Sequence, residues 1–205
     1  MSARVAVLLS GRGSNFLNLH AAMERGEVPG TIALVISNVA EAPGLARARQ
    51  LGLPALALPY GESPTREAHD SRMRAAIAAA GAEWVCLAGY MRLLTPGFVA
   101  ACGQRVLNIH PSLLPSFPGL HAQRQALAAG VRVSGCTVHF VDAGLDSGPI
   151  VAQRAVPVLD SDDEDSLAAR ILEAEHAAYP AALARLLAGG WWIAGRRVHF
   201  PGPGA

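Results

Sequence analysis

Two polar side chains close an otherwise apolar run in Val106-Leu107-Asn108-Ile109-His110-Pro111. Side chains alternate along an extended strand, so Val106, Asn108 and His110 share one face and Leu107 and Ile109 the other. Pro111 ends the run and fixes the exit of the chain. In an open α/β sheet, the C-terminal end of a strand faces the crevice where ligands bind. There an asparagine amide can donate to a developing oxyanion. A histidine can donate as well, or move a proton near neutral pH. Satisfaction by loop backbone is the plainer alternative, and it suits a lone histidine better than two polar groups on one face. The next segment, Ser112 to His121, carries Pro115 and Pro118 and reads as a stiff loop lining a site. His121 is either a ligand contact there or an ordinary loop residue.

Three further constellations could carry chemistry. Ser10-Gly11-Arg12-Gly13-Ser14-Asn15 follows an apolar run and opens a helical one. Glycines allow close backbone approach and a helix start offers unpaired N–H groups, which suits a phosphate. The spacing is not that of the dinucleotide fingerprint G-x-G-x-x-G. The same residues could form only a tight turn with Ser14 or Asn15 as N-cap. Asp142-Ala143-Gly144-Leu145-Asp146-Ser147-Gly148-Pro149 joins two extended runs. Both aspartates could be turn residues bonding their own backbone. Asp146 could instead aim at a histidine, where its charge would favour the imidazolium form. Finally, Glu175 falls in the apolar stripe Leu167, Ile171, Ala178, Ala182, Leu186, with His176 on the flank. A carboxylate in a core-facing stripe needs a partner, either an arginine or backbone group or a ligand amine.

Composition removes several classes. The 205 residues suit one domain, and 51 % are apolar, enough for a substantial core. Seventeen basic against sixteen acidic residues leave a net charge of +1, which argues against a general nucleic-acid binder. No lysine occurs, so a lysine Schiff base, a usual pyridoxal phosphate site and a Walker A loop are excluded. Cys86, Cys102 and Cys136 form no C-x-x-C pair and read as small buried residues rather than metal ligands or disulfides. Mean hydropathy is +0.28, inflated by alanine, and no stretch reaches the roughly 18 apolar residues of a membrane span. The N-terminal run is broken at Gly11 and Arg12 and reads as a strand rather than a signal peptide, so a cytoplasmic location is expected.

The elements that must position these groups alternate. Val5–Leu9, Ile32–Ser37, Ala55–Leu58, Trp84–Ala88 and Val106–His110 read as strands. Asn15–Glu24, Gly44–Leu51, Thr65–Ala80 and Pro96–Cys102 read as helices. This rhythm predicts an α/β, Rossmann-like, mostly parallel sheet with helices on both faces. Gly135–Val141 and Ile150–Val158 predict antiparallel or mixed additions near the C-terminal part. Asp162–Leu187 predicts a long helix opened by acidic residues and stopped at Gly189-Gly190. Trp191–Phe200 predicts a short hairpin, and the tail Pro201–Ala205 a frayed end. No repeat, low-complexity segment or linker is evident, so residues 1–205 are expected to form a single domain.

Taken together these segments resemble the phosphoribosylglycinamide formyltransferases, folate-dependent enzymes of purine biosynthesis. The likeness rests on Leu8 to Asn15, Ile36 to Asn38, Ala88 to Leu94, Leu107 to His121, Thr137 to Ile150 and Glu175 to Pro180. It implies a formyltransferase fold and transfer of the formyl group of 10-formyltetrahydrofolate to the amine of glycinamide ribonucleotide. Asn108 and His110 would polarise the formyl group, and Asp146 would orient and charge His110 and help move protons. Gly13, Ser14 and Asn15 would hold the ribonucleotide phosphate, and Glu175 the glycinamide amine. Arg66 and Met91, Arg92, Leu93 and Leu94, with Asn108, would contact the folate. No metal and no covalent intermediate is implied. Arg12 and Gln123 depart from the pattern: the first stands where a small or uncharged residue is frequent, the second where some members have a histidine.

Neighbouring readings differ in what else they require. A formyltetrahydrofolate hydrolase shares Asn, His and Asp but usually carries a preceding regulatory domain, for which a first strand at Val5 is expected to leave no room. A methionyl-tRNA formyltransferase would need a following RNA-binding domain and a basic surface. A non-catalytic nucleotide-binding module would use the glycine-rich turn and leave Asn108, His110 and Glu175 unexplained. The expected partners are small molecules, with no nucleic acid and no membrane, and the expected assembly is a monomer or homodimer.

Overall fold

The computed structural model describes residues 2–201 and divides into two compact units, Met1–Asn108 and Ile109–Ala205. In the first unit five strands pair in parallel in the order β3-β2-β1-β4-β5. These are β1 (Ala3–Leu9), β2 (Gly30–Ser37), β3 (Ala55–Ala57), β4 (Trp84–Leu87) and β5 (Val106–His110). Val5 to Leu9 are fully buried and Trp84 to Leu87 nearly so. That is the burial of strands covered on both faces, and it explains their unbroken apolar sequence. The connecting helices are α1 (Ser14–Glu24), α2 (Pro43–Gln50), α3 (Arg66–Ala79) and α4 (Pro96–Ala101). The chain steps outward from β1 to β3, then crosses back to β4 and continues to β5. Right-handed crossovers therefore put α1 and α2 on one face of the sheet and α3 and α4 on the other. The reversal lies between β1 and β4, the position where open α/β sheets take their ligands.

In the second unit β6 (Val133–Phe140) and β7 (Ile150–Pro157) form an antiparallel pair whose register shifts between Val138 and His139. β8 (Trp192–Ala194) and β9 (Arg197–His199) form the expected hairpin, and β9 meets β7 in parallel at Ile150 and Arg197. The long helix is α6 (Glu164–Leu187), packed on β6 and β7. It begins two residues later than the acidic run suggests because Asp163 is its N-cap. Asp163 accepts from Ser166 N while Ser166 Oγ accepts from Asp163 N, a reciprocal cap. Gly189 and Gly190, both at positive φ, follow its end as expected.

Two short elements go beyond the sequence reading. Tyr60–Glu62 forms a 3-10 turn, and α5 (Ala122–Ala128) follows the proline-rich loop. His121 is the N-cap of α5 at φ 58, exposed, with Nδ1 3.9 Å from Glu164 Oε1. Among the described residues no helix is long and apolar enough to cross a membrane. The tail expected to fray lies outside the described residues from Gly202 onward.

Candidate active site

β5 delivers His110 to the start of the second unit at 5 % exposure. Its Nε2 lies 2.9 Å from Phe117 O and its Nδ1 3.4 Å from Asp146 Oδ2. A carbonyl can only accept, so Nε2 carries the proton in the first contact. The pairing expected from the acidic turn is therefore present in the geometry, across a sequence separation that spacing could not bridge.

Asp146 has a second histidine beside it. His139 Nε2 stands 3.7 Å from Asp146 Oδ1, and its Nδ1–H donates to Phe140 O at 2.9 Å. Burial holds the His139 imidazole below the ordinary histidine range; the Phe140 carbonyl and the carboxylates of Asp146 and Asp142 oppose that shift without reversing it. Sequence reasoning missed His139. A strand-end argument like that for His110 was available in Val138-His139-Phe140, but the register shift at this residue obscures which face it takes.

The loop holding Asp146 is closely built. Asp142 Oδ1 accepts from Gly144 N at 3.0 Å and from Ser147 Oγ at 2.7 Å, so Asp142 is the turn residue its sequence suggests. Asp146 itself lies at φ 49, and Gly119 N donates to its Oδ2 at 2.8 Å. Gly148 has room for no side chain, since a Cβ would fall 1.8 Å from Phe140 O. Phe117 also takes a positive φ, 55. Left-handed backbone at non-glycine residues costs about 1–3 kcal/mol each and persists where the surroundings enforce it. Elsewhere in this unit Glu175 sits in the buried stripe of α6, at 7 % exposure, close enough to Cys136 of β6 that its charge adds to burial in pushing that thiol up to about 12.

The first unit gathers the remaining candidates at the β1 and β4 strand ends. Gly13, at φ 74, is the N-cap of α1, and Ser14 and Asn15 lie inside the helix, so the alternative in which one of them caps it does not hold. Among the described residues no side chain caps this end. Gly13 is required twice over: by its φ, and because a Cβ would come within 3.0 Å of Gly44 Cα. Arg12 is exposed. Ser10 ties three loops together: its N donates to Gly89 O at 3.0 Å, its Oγ donates to Asn38 Oδ1 at 2.5 Å, and Met91 N donates to that Oγ at 2.9 Å. This explains why Ile36 to Asn38 and Ala88 to Leu94 belong to one pattern.

Arg66, Met91, Arg92 and Leu93 line a cavity of about 310 Å³ with Tyr60, His69, Asp70 and Tyr90, while Leu94 is buried. The Arg92 guanidinium lies 3.5 Å over the Tyr60 ring. His69 Nε2 is 3.3 Å from Tyr90 Oη, and Asp70 Oδ2 accepts from Thr95 N at 2.7 Å, anchoring the segment that carries Met91 to Leu93. Two arginines beside exposed Met91 and Leu93 suit a ligand with an apolar ring system and carboxylates. Asn108, half-buried, pairs with Leu87 on β4. No group of three or more potential metal-binding side chains occurs among the described residues.

Comparison with known proteins gives a consistent answer. A family model described as formyl transferase matches residues 3–183. The phosphoribosylglycinamide formyltransferase of Escherichia coli strain K12 is 43 % identical over 196 residues, covering 95 % of this chain and 90 % of that protein. The trifunctional purine biosynthetic protein adenosine-3 of Drosophila melanogaster is 50 % identical over 188 residues; this chain spans 14 % of its length. The crystal structure of glycinamide ribonucleotide transformylase 1 from Symbiobacterium toebii superimposes with TM-score 0.95 at 49 % identity, covering 97 % of this chain and 94 % of that one. A formyltetrahydrofolate deformylase from Pseudomonas syringae is similar at TM-score 0.89 and 27 % identity, with 65 % of its chain covered.

Proposed function

The chain belongs to the formyl transferase family, and from that membership we propose that it transfers the formyl group of 10-formyltetrahydrofolate to the amine of glycinamide ribonucleotide in purine biosynthesis. The observation that carries the reading is the pairing of buried His110 with Asp146. The amine nitrogen attacks the formyl carbon, and the carbonyl π electrons move onto oxygen. Asn108 and His110 donate to that oxyanion. Its collapse breaks the bond to N10 of the folate. The amine loses one proton and N10 gains one, with Asp146 and His110 on the relay through water. His110 Nε2–H exchanges Phe117 O for the formyl oxygen.

Gly13, Ser14 and Asn15 hold the ribonucleotide phosphate at the start of α1, and Glu175 binds the glycinamide amine. Arg66, Arg92, Met91, Leu93 and Leu94 take the folate, with Asn108 at its reactive end. His139 stands beside the second oxygen of Asp146, 3.7 Å away. Residues 1–205 act as one formyltransferase domain; a single family match running across both units supports this. The substrates are small molecules, nucleic acid and membrane have no part, and the protein works in the cytoplasm as a monomer or homodimer. The balanced charge supports the exclusion of nucleic acid.

Hydrolysis of the same folate is the second reading, favoured by the likeness to the deformylase. The fate of a labelled formyl carbon separates them. Incubated with both substrates, the protein is expected to move the label into the ribonucleotide. Label recovered as formate would overturn the proposal in favour of hydrolysis.

A further inference from the structure

We propose that Arg196, at the turn of the C-terminal hairpin, is a positioning residue that holds the Asp146 loop in its working conformation. The hairpin lies beyond the stretch matched by the family, and nothing in the mechanism above uses it. Yet it touches that loop at both ends and in the middle. Arg196 Nη2 donates to Ser147 O at 2.9 Å, one residue from Asp146. Arg197 pairs with Ile150, where the loop enters β7. The Trp191 ring packs on Phe140, where the loop leaves β6, with centroids 5.2 Å apart. Trp191 is itself fixed by donating Nε1–H to Leu186 O at 3.0 Å, which ties the hairpin to the end of α6.

The loop needs such support. Asp146 sits at φ 49, a conformation that an aspartate keeps only when its neighbours impose it. Within the loop, Asp142 accepts from Gly144 N and Ser147 Oγ, which shapes the turn on both sides of Asp146. Arg196 adds a tie from outside the loop, to the Ser147 carbonyl, which no bond within the loop engages in the contacts described above. The hairpin turn is built to present it: Gly195 takes φ 60 at the first position of a two-residue turn and Arg196 follows. Arg196 is exposed, so its hydrogen bond to Ser147 O is made at the surface and its loss spares the core. A small displacement of Asp146 moves the partner of His110, and misplacement on the ångström scale is expensive in catalysis.

The test compares the full chain with Arg196→Ala and Arg196→Lys. Amide exchange is read at Gly119, whose N–H donates to Asp146 Oδ2, and in β6 as a control. In Arg196→Ala, exchange at Gly119 is expected to quicken about tenfold while β6 holds, and Arg196→Lys restores it. With both substrates, kcat is expected to fall about three- to tenfold at KM values within about twofold of the parent, again restored by lysine. Unchanged exchange at Gly119 overturns the proposal. So does exchange rising equally in β6, which marks general loosening, and so does a raised KM at constant kcat, which marks a substrate contact. The kinetic arm rests on the proposed transferase reading; the exchange arm does not. A parent inactive with these substrates sinks that reading and leaves the bracing of Asp146 to be decided by exchange.

Discussion

Asp146 stands between two imidazoles, 3.4 Å from His110 Nδ1 and 3.7 Å from His139 Nε2, with Gly119 N on the same carboxylate. Burial pushes the His139 ring towards its neutral form. Asp146→Asn keeps the shape and removes the charge, so both ligands are expected to bind with Kd values within about twofold while turnover falls about a hundredfold or more. Titration calorimetry and steady-state rates check this, and unchanged turnover removes Asp146 from the mechanism. Glu175→Gln is expected to raise KM for the ribonucleotide about tenfold or more, since a charged hydrogen bond contributes about 1.5–3 kcal/mol. Initial rates against ribonucleotide concentration measure it. Alternation along β5 made Asn108 and His110 legible in the sequence. The stripe of α6 did the same for Glu175. Asp146 was legible as a carboxylate that could aim at a histidine, but the contact itself was not, because it depends on a left-handed residue in a turn, and His139 was hidden by a bulge.

The strands were read well because burial on both faces leaves continuous apolar runs, and periods of that kind survive in sequence. Helix α5 was not. Its residues Ala-Gln-Arg-Gln-Ala-Leu-Ala bury only Ala122 and Ala126, and it opens on a left-handed histidine instead of a Ser, Thr, Asp or Asn cap. Neither an apolar stripe nor a start signal announces it. The glycine-rich turn is legible, but not which residue caps its helix: a backbone at φ 74 against Gly44 Cα demands the glycine itself. Gly13→Ala is therefore expected to cost about 1–2 kcal/mol of stability and to weaken ribonucleotide binding. A lowered urea midpoint together with a raised Kd checks both parts; ribonucleotide binding at full strength would detach this turn from the phosphate.

At the scale of the whole chain, buried histidines couple stability to pH. Burial holds His69 and His139 below the usual histidine pKa of about 6.5. As pH falls, the unfolded chain takes up these protons first, so unfolding gains and stability declines from about pH 6.5 downward, until the folded-state values are passed. Urea midpoints are expected to be lower at pH 5.5 than at pH 7.5, and the double variant His69→Gln/His139→Gln to show a smaller difference. Composition narrowed the classes to consider, and the motif order pointed to the family that the comparisons show. The arrangement of its loops needed coordinates, because chain turns and not periodicity set them. The central claim is that formyl release waits for an acceptor. The most direct measurement is the initial rate of tetrahydrofolate formation from 10-formyltetrahydrofolate with and without glycinamide ribonucleotide. Formation is expected only when the ribonucleotide is present; an equal rate in its absence would contradict the account.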